Sequence, residues 1–288
     1  MNKVSRRRFL VTSIAAAGAF VLGSMLPKQP FPIARAFASE AEFSDIDKKP
    51  LPYTPLDPEE VKVRAYKYYW LHLGGSKVAC AEGVFGAFVH ELREKIGGVW
   101  NYIPTFALWW QIGGGAGWAV LCGALAGAAT IISLVLGRSK LTKKVINELF
   151  RWYELHPFPQ WTPPDSVVEE AGGVKGPLPT SIAFSVLCHP SVTRWCLVAK
   201  KASGSKERSE RCARLTGEVA AKTAELLNAA VTGKFKPMTL TPLVVDDKHG
   251  CRSCHRKGAP YEQGGWARGK MYCLICHRAP HLRLTASK

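Results

Sequence analysis

The sequence predicts a mainly α-helical protein in which a larger helical domain precedes a small, loop-rich C-terminal domain. Three observations carry this. Apolar residues recur at helical spacing in blocks around 63–96, 117–153 and 207–231. No stretch alternates polar and apolar residues for long enough to make a strand. After Pro237 the chain turns rich in Gly and Cys, which suits loops stapled by something other than an apolar core.

The elements follow in order. Ser5-Arg6-Arg7-Arg8-Phe9-Leu10 precedes an apolar, small-residue run from Val11 to Leu26, and Ala36-Phe37-Ala38 offers a cleavage site before Ser39. This is the layout of a twin-arginine export signal over residues 1–38, and it predicts a periplasmic protein. A Sec-type signal or an uncleaved anchor is the alternative. The twin-arginine route carries folded proteins, which usually means a cofactor inserted before export. Residues 39–62 are rich in Pro and acidic residues and predict an extended arm. In 63–96 one or two helices are expected, with Cys80 opening the periodic run Ala81, Val84, Phe85, Phe88, Val89 and Leu92.

Ile96 to Gly137 carries no charged side chain. Gly117–Leu136 is long enough to span a bilayer, and Gly123-x-x-x-Gly127 is a spacing seen where membrane helices meet. Ala and Gly dominate the run, however, so a buried helix at the centre of a water-soluble core is the preferred reading. A Lys-rich helix through Lys143, Asn147 and Tyr153 comes next, then a loop from Pro157 to Pro179, then a helix from Glu207 to Val231.

The C-terminal segment contains Cys251-Arg-Ser-Cys254-His255 and Cys273-Leu-Ile-Cys276-His277. In a C-x-x-C-H unit the two thiols can form thioethers with the two vinyl groups of one haem, and the His binds its iron. Two units within 27 residues, in a chain with nine cysteines, predict two c-type haems per chain. A zinc ribbon also tolerates paired C-x-x-C, but zinc does not require the His after each pair. His255 and His277 are the expected proximal ligands. His249 and His281 complete a set of four histidines for four axial positions. Each sits too near its own motif to reach the far side of that haem, so each is expected on the other haem or on one in a second chain. His72, His90, His156, His189 and Met271 are rivals, with His90 read as a surface residue beside Glu91.

The formal charge of +17 falls to about +11 once the six basic residues of the signal are removed. Lys248, Arg252, Arg256, Lys257, Arg268, Lys270 and Arg278 surround the haem motifs. An acidic, soluble redox partner is the expected consequence; no nucleic-acid-binding motif is present. Five cysteines remain: Cys80, Cys122, Cys188, Cys196 and Cys212. Five is an awkward count for disulfides and suits four thiolates on a metal cluster plus one buried thiol, or three plus two. Thiol–disulfide exchange through Cys188 and Cys196 lacks a C-x-x-C spacing.

Cys80-Ala-Glu-Gly, the run Gly-Gly-Gly-Ala-Gly-Trp-Ala-Val-Leu-Cys122-Gly-Ala-Leu-Ala-Gly and the later cysteines resemble the C-GCAxxG-C-C family of redox proteins. With the tandem haem motifs added, the layout over 63–288 is similar to that of the split-Soret cytochromes c. The resemblance implies a helical iron–sulfur domain over 63–236 and a dihaem domain over 237–288. It implies a homodimer with closely packed haems, low-potential bis-histidine ligation and periplasmic electron transfer. Cys80, Cys122 and Cys212 match the family's first, second and last cysteines. Cys188 is favoured as the third, its 24-residue separation from Cys212 suiting the pattern better than the 16 of the rival Cys196. Such a set would ligate a small cluster, expected to be [2Fe–2S]. Here the motif reads Cys-Gly-Ala where the family has Gly-Cys-Ala. The alternative function is a multi-centre redox enzyme that reduces a small substrate at an open haem or cluster position. No catalytic constellation accompanies the motifs, so an electron carrier is expected.

Overall fold

The computed structural model describes residues 49–237, 254–255, 258–260 and 270–271. The expected export signal and most of the expected haem segment lie outside these residues. In the described arm, Leu51 N–H bonds Leu134 O at 2.8 Å, and Pro52 O accepts from Trp100 Nε1 at 2.8 Å.

Helix α1 (Pro58–Trp70) starts within the stretch expected to be extended, so that boundary is corrected. Its start follows the rules for helix ends. The Asp57 side chain caps the Glu59 N–H, Pro58 takes the first turn, and Glu59 and Glu60 face the positive end of the dipole. A hairpin of two short strands, β1 (His72–Leu73) and β2 (Ser76–Lys77), turns the chain into α2 (Ala79–Lys95). The block expected at 63–96 is therefore two helices separated by a hairpin. α2 is small-residue-rich and almost entirely buried.

Two 3-10 turns, Gly98–Tyr102 and Thr105–Gln111, occupy the first half of the uncharged stretch. Gly113, Gly114, Gly115 and Gly117 all have positive φ and break the chain before α3 (Gly123–Leu136). The helix expected from Gly117 is thus six residues shorter at its start. No helix among the described residues is long and apolar enough to cross a membrane. The Gly123/Gly127 spacing instead marks a close helix crossing inside the core. A Cβ on Gly127 would lie 2.3 Å from Ala81 O, on α2.

Helix α4 (Lys140–Leu155) is capped by Ser139, whose Oγ accepts from Thr142 N–H at 3.0 Å. The expected loop after it contains β3 (Pro157–Phe158), the short α5 (Asp165–Ala171) and β4 (Ser181–Ile182), which pairs antiparallel with β3. Glu218 fastens the loop by accepting from the backbone N–H groups of Gln160 and Trp161 at 2.8 and 2.9 Å. Helix α6 (Cys188–Ala199) has no counterpart among the elements expected from the sequence. Pro190 is tolerated because it lies in the first turn, where an N–H needs no helical partner.

The last described helix, α7 (Lys206–Val231), is the hub. It packs against α1, α2, α3 and α4, and its apolar face (Leu215, Val219, Ala220, Leu227) is fully buried. Gly217 lets it approach α1, since a Cβ there would meet Lys62 O at 2.9 Å. Arg214 and Glu210, both fully buried, form an ion pair at 2.7 Å on this helix. Tyr66 donates to Glu210 at 3.0 Å, and Arg214 donates to Val174 O and Gly176 O, so the pair also anchors the loop after α5.

Candidate metal centre

Four segments deliver cysteines to one region of the core. Cys122 is the N-cap of α3, Cys80 sits in the first turn of α2 and Cys188 opens α6. Cys212 lies in the second turn of α7. A local antiparallel pairing registers two of them. Cys122 N–H bonds Val186 O at 2.9 Å and Cys188 N–H bonds Val120 O at 2.7 Å, around the bridge between Leu121 and Leu187.

Glycines make the room. A Cβ on Gly123 would stand 2.4 Å from Cys80 Sγ, and one on Gly114 would stand 2.8 Å from Cys188 Cβ. The glycine after Cys122 is therefore a packing requirement of Cys80.

The thiols oppose one another's ionisation. Burial pushes Cys80 well above the usual thiol value, and Cys122, Cys212 and Cys188 add to the shift. Burial, then Cys122 and Cys212, push Cys188 to about 12. Cys122 is raised by burial, against a hydrogen bond with Tyr153. Cys196, two turns along α6, interacts with Cys212 alone among the cysteines and is raised by burial. Cys80, Cys122, Cys188 and Cys212 thus form one electrostatic group and Cys196 stands at its edge. Among the described residues no three metal-binding side chains already converge to ligation distance.

Positive charge lines that region. Arg211 is 1% exposed; it donates to Ser191 Oγ at 2.9 Å and its Nη1 lies 3.9 Å from Cys212 Sγ. No carboxylate pairs with Arg211 among the described residues, and its Nε is buried without a partner. Arg208 is held in its charged form by Cys212 first among several neighbours. Lys77 lies over the rings of Trp70 and Tyr69 at 3.8 and 4.3 Å, and burial followed by Arg208 lowers it to about 8. Three helices begin at these cysteines, so their N-terminal N–H groups lie near the thiols.

An anionic thiolate-bound cluster fits this setting. A metal would relieve the repulsion among ionised thiols, and the surplus cations would balance the remaining negative charge. Arg208, Arg211 and Lys77 were not singled out from the sequence. The signal was there, in basic residues one and four positions before Cys212 and three before Cys80.

Of the haem-segment residues, Cys254 is exposed and His255 half-buried. Cys251, Cys273, Cys276, His249, His277 and His281 lie outside the described residues. Lys270 is docked on α4: its carbonyl accepts from Arg151 at 2.8 Å and its Nζ donates to Asn147 Oδ1 at 3.0 Å. His90 departs from expectation. It is half-buried, packed on Tyr68 at 5.1 Å and 3.3 Å from Arg93, while Glu91 is buried and held by Arg64 at 2.6 Å. His156 is taken by Glu218 at 3.0 Å.

Residues 78–226 match the family model "Putative redox-active protein (C_GCAxxG_C_C)". The chain is 41% identical to split-Soret cytochrome c of Desulfovibrio desulfuricans over 223 residues, covering 77% of this chain and 75% of that protein. A solved structure described as a novel iron centre in that cytochrome matches with a TM-score of 0.69 at 40% identity. The match covers 81% of this chain and 91% of the other. With the first matched residues at the turn into α2 and the last in α7, the chain belongs to the C_GCAxxG_C_C redox-active family and is a relative of split-Soret cytochrome c.

Proposed function

We propose that this protein is a periplasmic electron carrier. Two c-type haems are joined at Cys251/Cys254 and Cys273/Cys276, with His255 and His277 as proximal ligands and His249 and His281 as distal ones. A [2Fe–2S] cluster is held by Cys80, Cys122, Cys188 and Cys212. The observation that carries the cluster is Arg211, a buried guanidinium for which, among the described residues, nearby opposite charge can come only from thiolates or what they bind. A buried unpaired cation costs several kcal/mol, so a folded chain that keeps it needs an anion there. The solved relative, described as having an iron centre, supports the same reading.

The cluster would supply a one-electron site beside the haems. The chain's own residues set its surroundings. α2, α3, α6 and α7 each bring one thiol, Arg208, Arg211 and Lys77 favour negative charge, and the buried phenol of Tyr153, donating to Ser191 at 2.9 Å, closes the inner side to water. Export in the folded state by the twin-arginine route suits a site whose ligands meet only after folding. We also propose a homodimer and an acidic partner protein. The uncharged aromatic surface supports the first, with Tyr102 85% and Trp118 82% exposed. The net positive charge supports the second.

The test is the visible spectrum of the exported protein with and without dithionite and carbon monoxide, together with iron, haem and acid-labile sulfide counts. Two six-coordinate haems that ignore carbon monoxide, plus non-haem iron with sulfide, are expected. A carbon monoxide-sensitive haem would replace the carrier with a reductase, and absent sulfide would remove the cluster.

A further inference from the structure

Away from the cysteines, the β1–β2 hairpin and the second 3-10 turn line an open pocket of about 390 Å³. Leu73, Ser76, Thr105, Phe106 and Trp109 form its walls, and Glu82 of α2 is part of its lining. Trp109 is fixed in place by donating to Lys77 O at 3.2 Å. Glu82 is 3% exposed, yet its carboxylate takes one side-chain hydrogen bond, from Thr105 Oγ1 at 2.9 Å, and among the described residues no cation pairs with it. This contrasts with four other buried acids. Glu210 has Arg214, Glu91 has Arg64, Glu154 has Arg151, and Glu218 has His156 with two backbone N–H groups. Burial pushes the Glu82 carboxyl above its usual range, against the Thr105 hydrogen bond, and a carboxylate oxygen is left for a ligand.

We propose that this pocket binds an alkylammonium group, with the Glu82 carboxylate facing the nitrogen and Phe106 and Trp109 covering the attached carbons. The volume lies in the range of small-molecule sites, and apolar walls with one converging charge are their usual make-up. Aromatic rings beside a carboxylate favour an organic cation, through cation–π attraction, over a hydrated metal ion that needs several oxygens. An anion is excluded by Glu82 itself. Lys77, the nearest basic residue in the hairpin, is absent from the lining and lies over Tyr69 and Trp70. The site does not depend on the iron–sulfur or haem readings.

Isothermal titration of the mature, haem-loaded protein with n-butylammonium chloride tests it, with sodium chloride as control. Saturable one-to-one binding of the amine, absent for sodium, is the expected result. Glu82→Gln should weaken it at least roughly tenfold, the scale of a hydrogen bond to a charged group. Phe106→Ala should weaken it roughly threefold, the scale of an exposed cation–π contact. Phe106 is 72% exposed, so that variant tests the site even if Glu82→Gln fails to fold. No saturable binding, or binding unchanged in Phe106→Ala and in a folded Glu82→Gln, would overturn the proposal. Nα-acetyl-lysine methylamide then separates the sources. If it binds tighter than butylammonium, the natural occupant is a lysine side chain of a protein; if it does not, the occupant is a free amine. Either result supports the site.

Discussion

Replacing Arg211 with Met should lower the reduction potential of the proposed iron–sulfur centre. Met keeps an unbranched, adaptable side chain and removes the charge. The guanidinium reaches to within 3.9 Å of Cys212 Sγ, and Cys212 is the strongest of the neighbours that favour its charge. Two unit charges 4 Å apart interact by about 4 kcal/mol at an effective dielectric constant near 20, and by about half that at twice the distance. An added electron is delocalised over the centre, so the longer separation is the better guide. At 59 mV for each 1.4 kcal/mol in a one-electron couple, about 2 kcal/mol corresponds to a midpoint roughly 80 mV lower. The assay is a redox titration followed by the electron paramagnetic resonance signal of the reduced centre, with the haem absorption bands as an internal reference that should move far less. In iron-free protein the sign reverses for stability. Removing a buried charge is neutral or stabilising there, so the variant should melt no lower than its parent. An unchanged midpoint in a fully iron-loaded Arg211→Met protein would refute the placement of this charge at the centre.

Three further outcomes follow from the packing. Gly127→Ala should lower the melting temperature by a few degrees. Its Cβ falls 2.3 Å from Ala81 O, and overpacking of about 1–3 kcal/mol exceeds the helix-propensity gain of about 1 kcal/mol; an unchanged or higher melting point would show that the α2–α3 crossing relaxes. Gly123→Ala puts the clash on Cys80 Sγ, so it should cost non-haem iron as well as stability, read by metal analysis beside the haem content. Glu210→Gln leaves Arg214 buried without its counter-charge and should lower the melting temperature by roughly 10 °C, from about 3–5 kcal/mol at 2–4 °C each. His90 supplies a pH signature. Burial, then Arg93 and Arg64, lower its pKa from the ordinary 6.5, so the unfolded chain takes up the proton first. Its contribution is present above 6.5 and is lost as pH falls through the lower folded-state value; His90→Asn should flatten that part of the stability curve, measured by melting at several pH values.

Much of this was legible from residue patterns, because helix periodicity and capping chemistry act locally. The start and end of α7 and the core helix within the uncharged stretch were readable in this way. What was not legible depends on partners far along the chain. The start of α1 was masked by prolines that seemed to mark an arm, although Asp57-Pro58-Glu59-Glu60 is also a strong helix start. The beginning of α3 was misplaced because Gly117, whose φ is positive, looks in sequence like part of a small-residue helix. No element was read between Pro179 and Glu207, where α6 lies. For the site, thiol count and spacing pointed to a four-cysteine group. The separation of Cys188 from Cys196 within one helix, and the surplus cations, needed the fold.

The position of α7 in the chain has a consequence for the order of synthesis. This helix is the surface on which α1, α2, α3 and α4 assemble, yet it is the last of the described core to be made. Until the ribosome passes Val231, the faces of the earlier helices that α7 covers have nothing to bury them against, although α1, α2 and α3 already pack on one another. Folding must therefore finish late and close over long stretches of chain, the slow regime in which exposed surface invites chaperones. A nascent chain arrested before Lys206 would carry three of the four cysteines and no α7 to bring the fourth.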